Sequence, residues 1–188
     1  LSKGFNGVSI DSKTVKKGNL FFAIKGKNND GHNYLNEAIL KGASYCVISK
    51  NFNKISKNKF IKVSNTYSCL KKLAILKRNY TNGKIIAVTG SSGKTTVKDL
   101  IGNLLKRYGD TYFSPRSFNN SYGVPLSLCN LEQEHKYGVF EIGMSKKGEI
   151  NTLSKLVKPN IAIITNIAEA HIENFKNLNH IAKAKGEI

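Results

Sequence analysis

The sequence predicts an α/β fold in two parts. A small N-terminal α/β domain spans residues 1–81. A phosphate-binding α/β domain with a mostly parallel sheet follows over residues 82–188. Three observations carry this. Strand-like apolar runs alternate with segments of helical spacing along the whole chain, the pattern of βαβ units. The turn Thr81-Asn82-Gly83 separates two such series. The run Lys84–Thr89 ends in Gly90-Ser91-Ser92-Gly93-Lys94-Thr95-Thr96, and a helix-forming segment follows, the order a phosphate cradle requires.

The elements follow in order. Leu20 to Ile24 is a compact apolar run. Tyr34 to Leu40 has helical spacing, with Gly42 as a C-cap. Tyr45 to Ile48 and Phe60 to Val63 read as short strands. Thr66 to Tyr80 places Cys69, Leu70, Leu73, Leu76 and Tyr80 on one helical stripe. Beyond the Lys84 strand, Val97 to Tyr108 carries Leu100, Ile101, Leu104 and Leu105 on one face. Tyr137 to Ile142 is a strand, and Gly148 to Val157 a helix that stops before Pro159. Ile161 to Thr165 is an apolar run of the kind buried in a parallel sheet. A last helix starts near Leu178 and carries no stop signal before Ile188. The chain opens on Leu1 inside folded-looking sequence. It is therefore expected to be a piece cut at both ends.

Composition narrows the function classes. At 188 residues and 40% hydrophobic the chain can bury a core. No apolar run approaches the roughly 20 residues of a membrane helix, and no signal peptide is visible. The formal charge is +18, but only Arg78, Arg107 and Arg116 are arginine. The other 27 basic residues are lysines scattered among asparagines. A nucleic-acid site concentrates arginine and aromatics on one face, so this distribution disfavours one. Cys46, Cys69 and Cys129 are odd in number and far apart, which fits reduced thiols rather than disulfides or a metal site.

The glycine loop is the sharpest chemical signal. Gly90, Ser91, Ser92 and Gly93 let backbone N–H groups approach phosphate oxygens, and the following helix adds its dipole. Lys94 supplies an ammonium, Thr95 a hydroxyl suited to Mg²⁺, and Thr96 completes the motif. The general pattern wants glycine where Val88 stands, so this is a shortened form, read as binding ATP or GTP. Ligands of open α/β sheets sit at strand carboxyl ends. Glu141, in Val139-Phe140-Glu141-Ile142-Gly143, is placed there to hold Mg²⁺; the alternative is a salt-bridged edge glutamate. Asn166 ends the next strand, and His171 in the following loop is a metal ligand, an acid/base or a structural histidine. Phe118 to Pro125 reads alone as a turn, although beside a phosphate its amides suit a polar substrate. Lys185, judged alone, is a solvated helix lysine.

These motifs together resemble the Mur ligase family. The resemblance rests on Ile10-Asp11-Ser12-Lys13, Gly18 to Gly26 and Asp30-Gly31-His32. It continues through Thr89 to Thr96, Phe118-Asn119-Asn120 with Gly123-Val124-Pro125, and Glu141-Ile142-Gly143 with Gly148-Glu149-Ile150. Thr165-Asn166-Ile167 with His171, then Ala184-Lys185-Gly186-Glu187-Ile188, complete it. The branch most similar adds D-alanyl-D-alanine to UDP-N-acetylmuramoyl-tripeptide, spending ATP with Mg²⁺ through an acyl phosphate, in cell-wall precursor synthesis. The resemblance implies a UDP-sugar-binding domain over residues 1–81 and an incomplete ATP-binding domain over residues 82–188. Lys94, Glu141, His171 and Lys185 would be catalytic. Thr95 and Glu141 would hold one metal. His171 and a carbamylated Lys185 would serve a second. Ser12, Lys13, Asp30, Gly31, His32, Asn119, Asn120 and Asn166 would face substrate. It also implies a monomer in the bacterial cytoplasm, with no nucleic acid and no membrane insertion. Two features depart from the family. Lys13 stands where arginine is usual, a point charge in place of a planar fork, and the chain stops inside the central domain. The alternatives are a sister ligase adding a single amino acid, or a module that binds nucleotide or UDP-sugar without catalysis.

Overall fold

Among the described residues, two four-stranded sheets, both parallel throughout, organise the chain. Parallel neighbours need a crossover between them, usually helical, and the alternating pattern of the sequence supplies these. The computed structural model describes residues 4–51, 57–169, 175 and 177–188. Contacts divide the chain into two compact units, Leu1–Leu73 and Ala74–Ile188.

The first unit holds β1 (Val8–Ser9), β2 (Leu20–Phe22), β3 (Tyr45–Ile48) and β4 (Phe60–Lys62), in that spatial order. Helix α1 (Leu35–Leu40) packs through Leu35 and Ala38 against Phe21, Cys46 and Ile48. The buried Phe21 and Phe22 each contribute on the order of 2–3 kcal/mol by leaving water. Helix α2 (Thr66–Tyr80) runs across the division between the units. Its buried positions are Thr66, Leu70 and Ala74, spaced four apart, while Leu76 and Tyr80 are exposed. The predicted stripe was therefore rotated by part of a turn. Cys46 and Cys129 are buried, Cys69 is half-buried, and all three are free thiols.

The second unit comprises β5 (Lys84–Thr89), α3 (Lys94–Leu105), β6 (Thr111–Phe113), α4 (Gly123–Cys129), β7 (Tyr137–Glu141), α5 (Glu149–Val157), β8 (Ile161–Ile164) and α6 (Leu178–Lys185). The sheet order is β6-β7-β5-β8. Ile85 to Thr89 of β5 are all buried, as expected of a parallel strand covered on both faces. The register sets Val88 beside Glu141 and Thr89 beside Ile164, so the three carboxyl ends lie together.

Four expectations are corrected here. On α3 the face against the sheet is Val97, Ile101 and Leu105, packed on Ile86, Val88 and Val139; Leu100 and Leu104 are exposed. Periodicity defined the helix but not the arc that turns inward. β8 is an outer strand whose Ile161, Ala162 and Ile164 are exposed, because among the described residues no strand pairs beyond it. The segment Gly123–Cys129, partly assigned to a turn, is a fully buried helix. The last helix ends at Lys185, where Gly186 caps it.

Candidate functional site

The glycine loop leaves β5 at Gly90, whose φ of 150° and close approach to Thr165 admit no side chain without displacement. Gly93, at φ 76°, turns the chain into α3 and leaves its first turn without a side-chain cap. The loop is braced from the segment after β8. Asn166 Oδ1 accepts from the Ser91 and Ser92 amides at 3.1 and 2.9 Å. Its Nδ2 donates to Ser92 Oγ at 2.7 Å, and Thr165 Oγ1 donates to Ser92 O at 2.6 Å. Asn166, expected on the substrate, is thus engaged chiefly with the loop. The Lys94 ammonium donates to the carbonyls of Gly90 and Ser91 at 2.8 and 3.3 Å. Thr96 follows Thr95 in the first turn of α3.

Beside this loop lies a carboxylate almost without solvent. Glu141 is 1% exposed. Thr95 Oγ1 donates to its Oε2 at 2.7 Å, and Asn119 Nδ2 to its Oε1 at 2.7 Å. Both partners are neutral, and among the described residues no cation pairs with it. A buried carboxylate is costly without an opposite charge. A hydroxyl and a carboxylate within hydrogen-bond reach are the hard oxygen donors Mg²⁺ selects, so the residues present fit that ion. Ser117 Oγ stands 3.4 Å from Thr95 Oγ1. Asn119 is further fixed because its carbonyl accepts from Gly143 N at 2.8 Å. Asn120 Oδ1 accepts from the amides of Tyr122 and Gly123 at 3.0 and 2.9 Å, which starts α4.

A cavity of about 660 Å³ opens beside the loop, bordered by Gly90, Lys94, Asn119, Asn120, Lys146 and Lys185. Lys147 borders it too, and four lysines on one cavity suit an anionic ligand. Lys185 is 3% exposed, not the solvated lysine its helix suggested. Burial, with a smaller push from the Lys94 ammonium, brings its pKa down to about 8. The turn that follows Lys185 is anchored: Glu187 accepts from Gly148 N at 3.0 Å and Asn151 N at 3.2 Å. His171 lies outside the described residues.

The first unit gathers the other predicted substrate residues into two clusters. Ser12 is buried and donates to Glu37 Oε2 at 2.7 Å, while Lys13 is exposed. His32 is also buried. The Ser49 amide can only donate, at 3.0 Å to Nε2, so Nδ1 carries the proton and donates to Asp30 at 2.6 Å. Both ring nitrogens therefore have partners inside the unit. Lys50 also donates to Asp30 at 2.7 Å. Burial raises the Asp30 carboxyl, but the bonds from Lys50 and His32 outweigh it and hold it well below the usual range. Gly31 sits against the Ala23–Ile24 backbone, where a Cβ would come within 2.7 Å of Ile24 N.

Sequence reasoning missed Lys98, Ser117, Thr165 and Glu187. Only Thr165 and Glu187 stood inside quoted motifs. The partners of Lys98 are carbonyls 16 and 18 residues away, which no local pattern reveals.

Residues 88–188 match the Mur ligase middle domain, and residues 4–78 match the Mur ligase family, catalytic domain. The chain is 44% identical over 97% of its length to the UDP-N-acetylmuramoyl-tripeptide–D-alanyl-D-alanine ligase of Rickettsia prowazekii, and 36% identical over 97% to that of Escherichia coli. It spans about 40% of the length of both relatives. Among solved structures it is similar to MurF from Acinetobacter baumannii, at TM-score 0.82 and 35% identity, covering 96% of this chain and 40% of that one. It is also similar to the MurF ligase from Thermotoga maritima in complex with ADP, at TM-score 0.80 and 34% identity, covering 100% and 44%.

Proposed function

Since this chain belongs to the Mur ligase family, we propose that it is the nucleotide-gripping part of an ATP-dependent ligase. That enzyme joins D-alanyl-D-alanine to UDP-N-acetylmuramoyl-tripeptide in the cytoplasm of a bacterium, acting as a monomer. The observation that carries the reading is the Glu141 carboxylate. It is buried beside Thr95 at the head of α3, with neutral partners only. The names of the relatives support the choice of amine and acyl substrates.

A carboxylate is a poor acylating agent at neutral pH, and transfer of the γ-phosphoryl group gives it a leaving group. The amine then attacks the acyl phosphate, forming the amide and releasing phosphate. Positioning and charge neutralisation dominate such transfers. Bound Mg²⁺ supplies part of that neutralisation. In this reading the amides of Gly93 to Thr96 and the Lys94 ammonium would cradle the phosphates, while Thr95 and Glu141 would hold the ion. Asn166 takes the Ser91 and Ser92 amides and so fixes the shape of the Gly90–Thr96 loop. Asn119 and Asn120 border the cavity where the acyl group enters. Lys185, with its lowered pKa, supplies a neutral amine that would add to CO₂ and release a proton to solvent. The carbamate oxygens, with His171, would hold a second metal. Residues 1–81 form the UDP-sugar-binding domain, where Ser12, Lys13, Asp30, Gly31 and His32 shape the UDP end. Residues 82–188 belong to the ATP-binding domain.

The test is phosphate release by the full-length protein. It is expected only when ATP, UDP-N-acetylmuramoyl-tripeptide and D-alanyl-D-alanine are all present. Equal release with a single amino acid would move the protein to a sister ligase. Nucleotide binding without release under any combination would reduce it to a binding module.

A further inference from the structure

Lys98 is fully buried on α3, one turn beyond Lys94. Its ammonium has three N–H groups and three acceptors. It donates to Ser114 O at 2.6 Å and Arg116 O at 2.8 Å, and pairs with Asp99 Oδ1 at 2.9 Å. The Phe113 ring lies 6.0 Å away. An apolar side chain of this length would fill the same space without removing a cation from water. What the ammonium adds is a fixed position for two carbonyls, Ser114 O and Arg116 O, of one loop. The tethered segment is the start of the loop that carries Ser117 and Asn119. Arg116 sits there with φ 51°, a conformation a side chain disfavours. Ser114 is held at its other groups too, since its N donates to Val139 O and its Oγ accepts from Glu141 N. Three and five residues past Ser114, Ser117 approaches Thr95 and Asn119 donates to Glu141.

We infer that Lys98 is a positioning residue for the magnesium–nucleotide site. Its ammonium anchors the 114–119 loop from inside the core, so that Ser117 and Asn119 hold Thr95 and Glu141 in place. The inference rests on the nucleotide reading proposed above. Lys98 touches neither nucleotide nor metal in it; the effect passes through the loop.

The experiment is calorimetric titration of full-length wild type, Lys98→Met and Lys98→Gln with ADP, once in Mg²⁺ and once in EDTA. Thermal melts of each protein check the fold. In wild type, Mg²⁺ is expected to tighten ADP binding. In Lys98→Met the affinity in Mg²⁺ is expected to fall at least tenfold, while that in EDTA changes less than twofold. Lys98→Gln keeps one donor group for the carbonyls and is expected to fall between the two. A Lys98→Met protein that matches wild type in both conditions, or loses affinity equally in both, overturns the inference. Failure of both variants to accumulate as folded protein assigns Lys98 to the core alone and also overturns it. A wild type that binds ADP no better with Mg²⁺ would instead refute the nucleotide–metal reading itself.

Discussion

Lys185 should be far more reactive near neutral pH than an ordinary exposed lysine side chain. An exposed lysine near pKa 10.5 is neutral in about one molecule in a thousand at pH 7.5. With a pKa of about 8, Lys185 is neutral in roughly a quarter of molecules at that pH. The ratio, on the order of two hundredfold, is the gain in the form able to attack CO₂ or an acylating reagent. Burial is the larger cause and the Lys94 ammonium the smaller. Lys94→Ala should therefore move the midpoint upward without restoring the ordinary value. The assay is competitive labelling with trace acetic anhydride from pH 6 to 11, read by peptide mass spectrometry. Lys185 should reach half its limiting rate near pH 8. A Lys185 midpoint above pH 10 would refute the reasoning. So would a midpoint unmoved by Lys94→Ala.

Three further outcomes follow from the same geometry. Glu141→Gln removes a buried, unpaired charge and should stabilise the metal-free protein by about 1 kcal/mol. It should also abolish any rise in melting temperature with Mg²⁺ and ADP; a retained rise would place the ion elsewhere. Gly90→Ala drives a Cβ against Thr165 Oγ1 at a φ of 150°, and should cost about 2–3 kcal/mol in denaturant melts. A loss below about 0.5 kcal/mol would show that Thr165 yields freely. The Asp30 carboxyl is held below its ordinary 3.8. Its contribution to stability is therefore complete above that value and is lost as pH falls through the lowered one. Asp30→Asn should flatten the acid limb of the stability curve, and an unchanged limb would mean another group controls it.

What could be read from sequence was local. The strand, the glycine pair, Lys94 and the helix start are contiguous, and backbone chemistry fixes their order. A carboxylate flanked by Phe140 and Ile142 already demanded a partner, and its register beside Val88 brings it to Thr95. What escaped depends on contacts between distant segments. Spacing marks α3 as a helix, but sheet packing decided that Val97, Ile101 and Leu105 face inward while Leu100 and Leu104 do not. Lys98 has the composition of a solvated helix residue until the carbonyls of Ser114 and Arg116 close over it. His32 gains no meaning from spacing, because Ser49 reaches it from 17 residues away.

The outer strand β8 bears on how this polypeptide behaves in a tube. Among the described residues no strand pairs with its outer side, and isoleucine side chains beside such a row of amides and carbonyls form a template for stacking one copy on another. Mutual repulsion among molecules carrying +18 each works against such clustering. Colloidal behaviour of the 188-residue polypeptide is thus a contest between one sticky rim and a diffuse cationic coat, and dissolved electrolyte weakens only the coat.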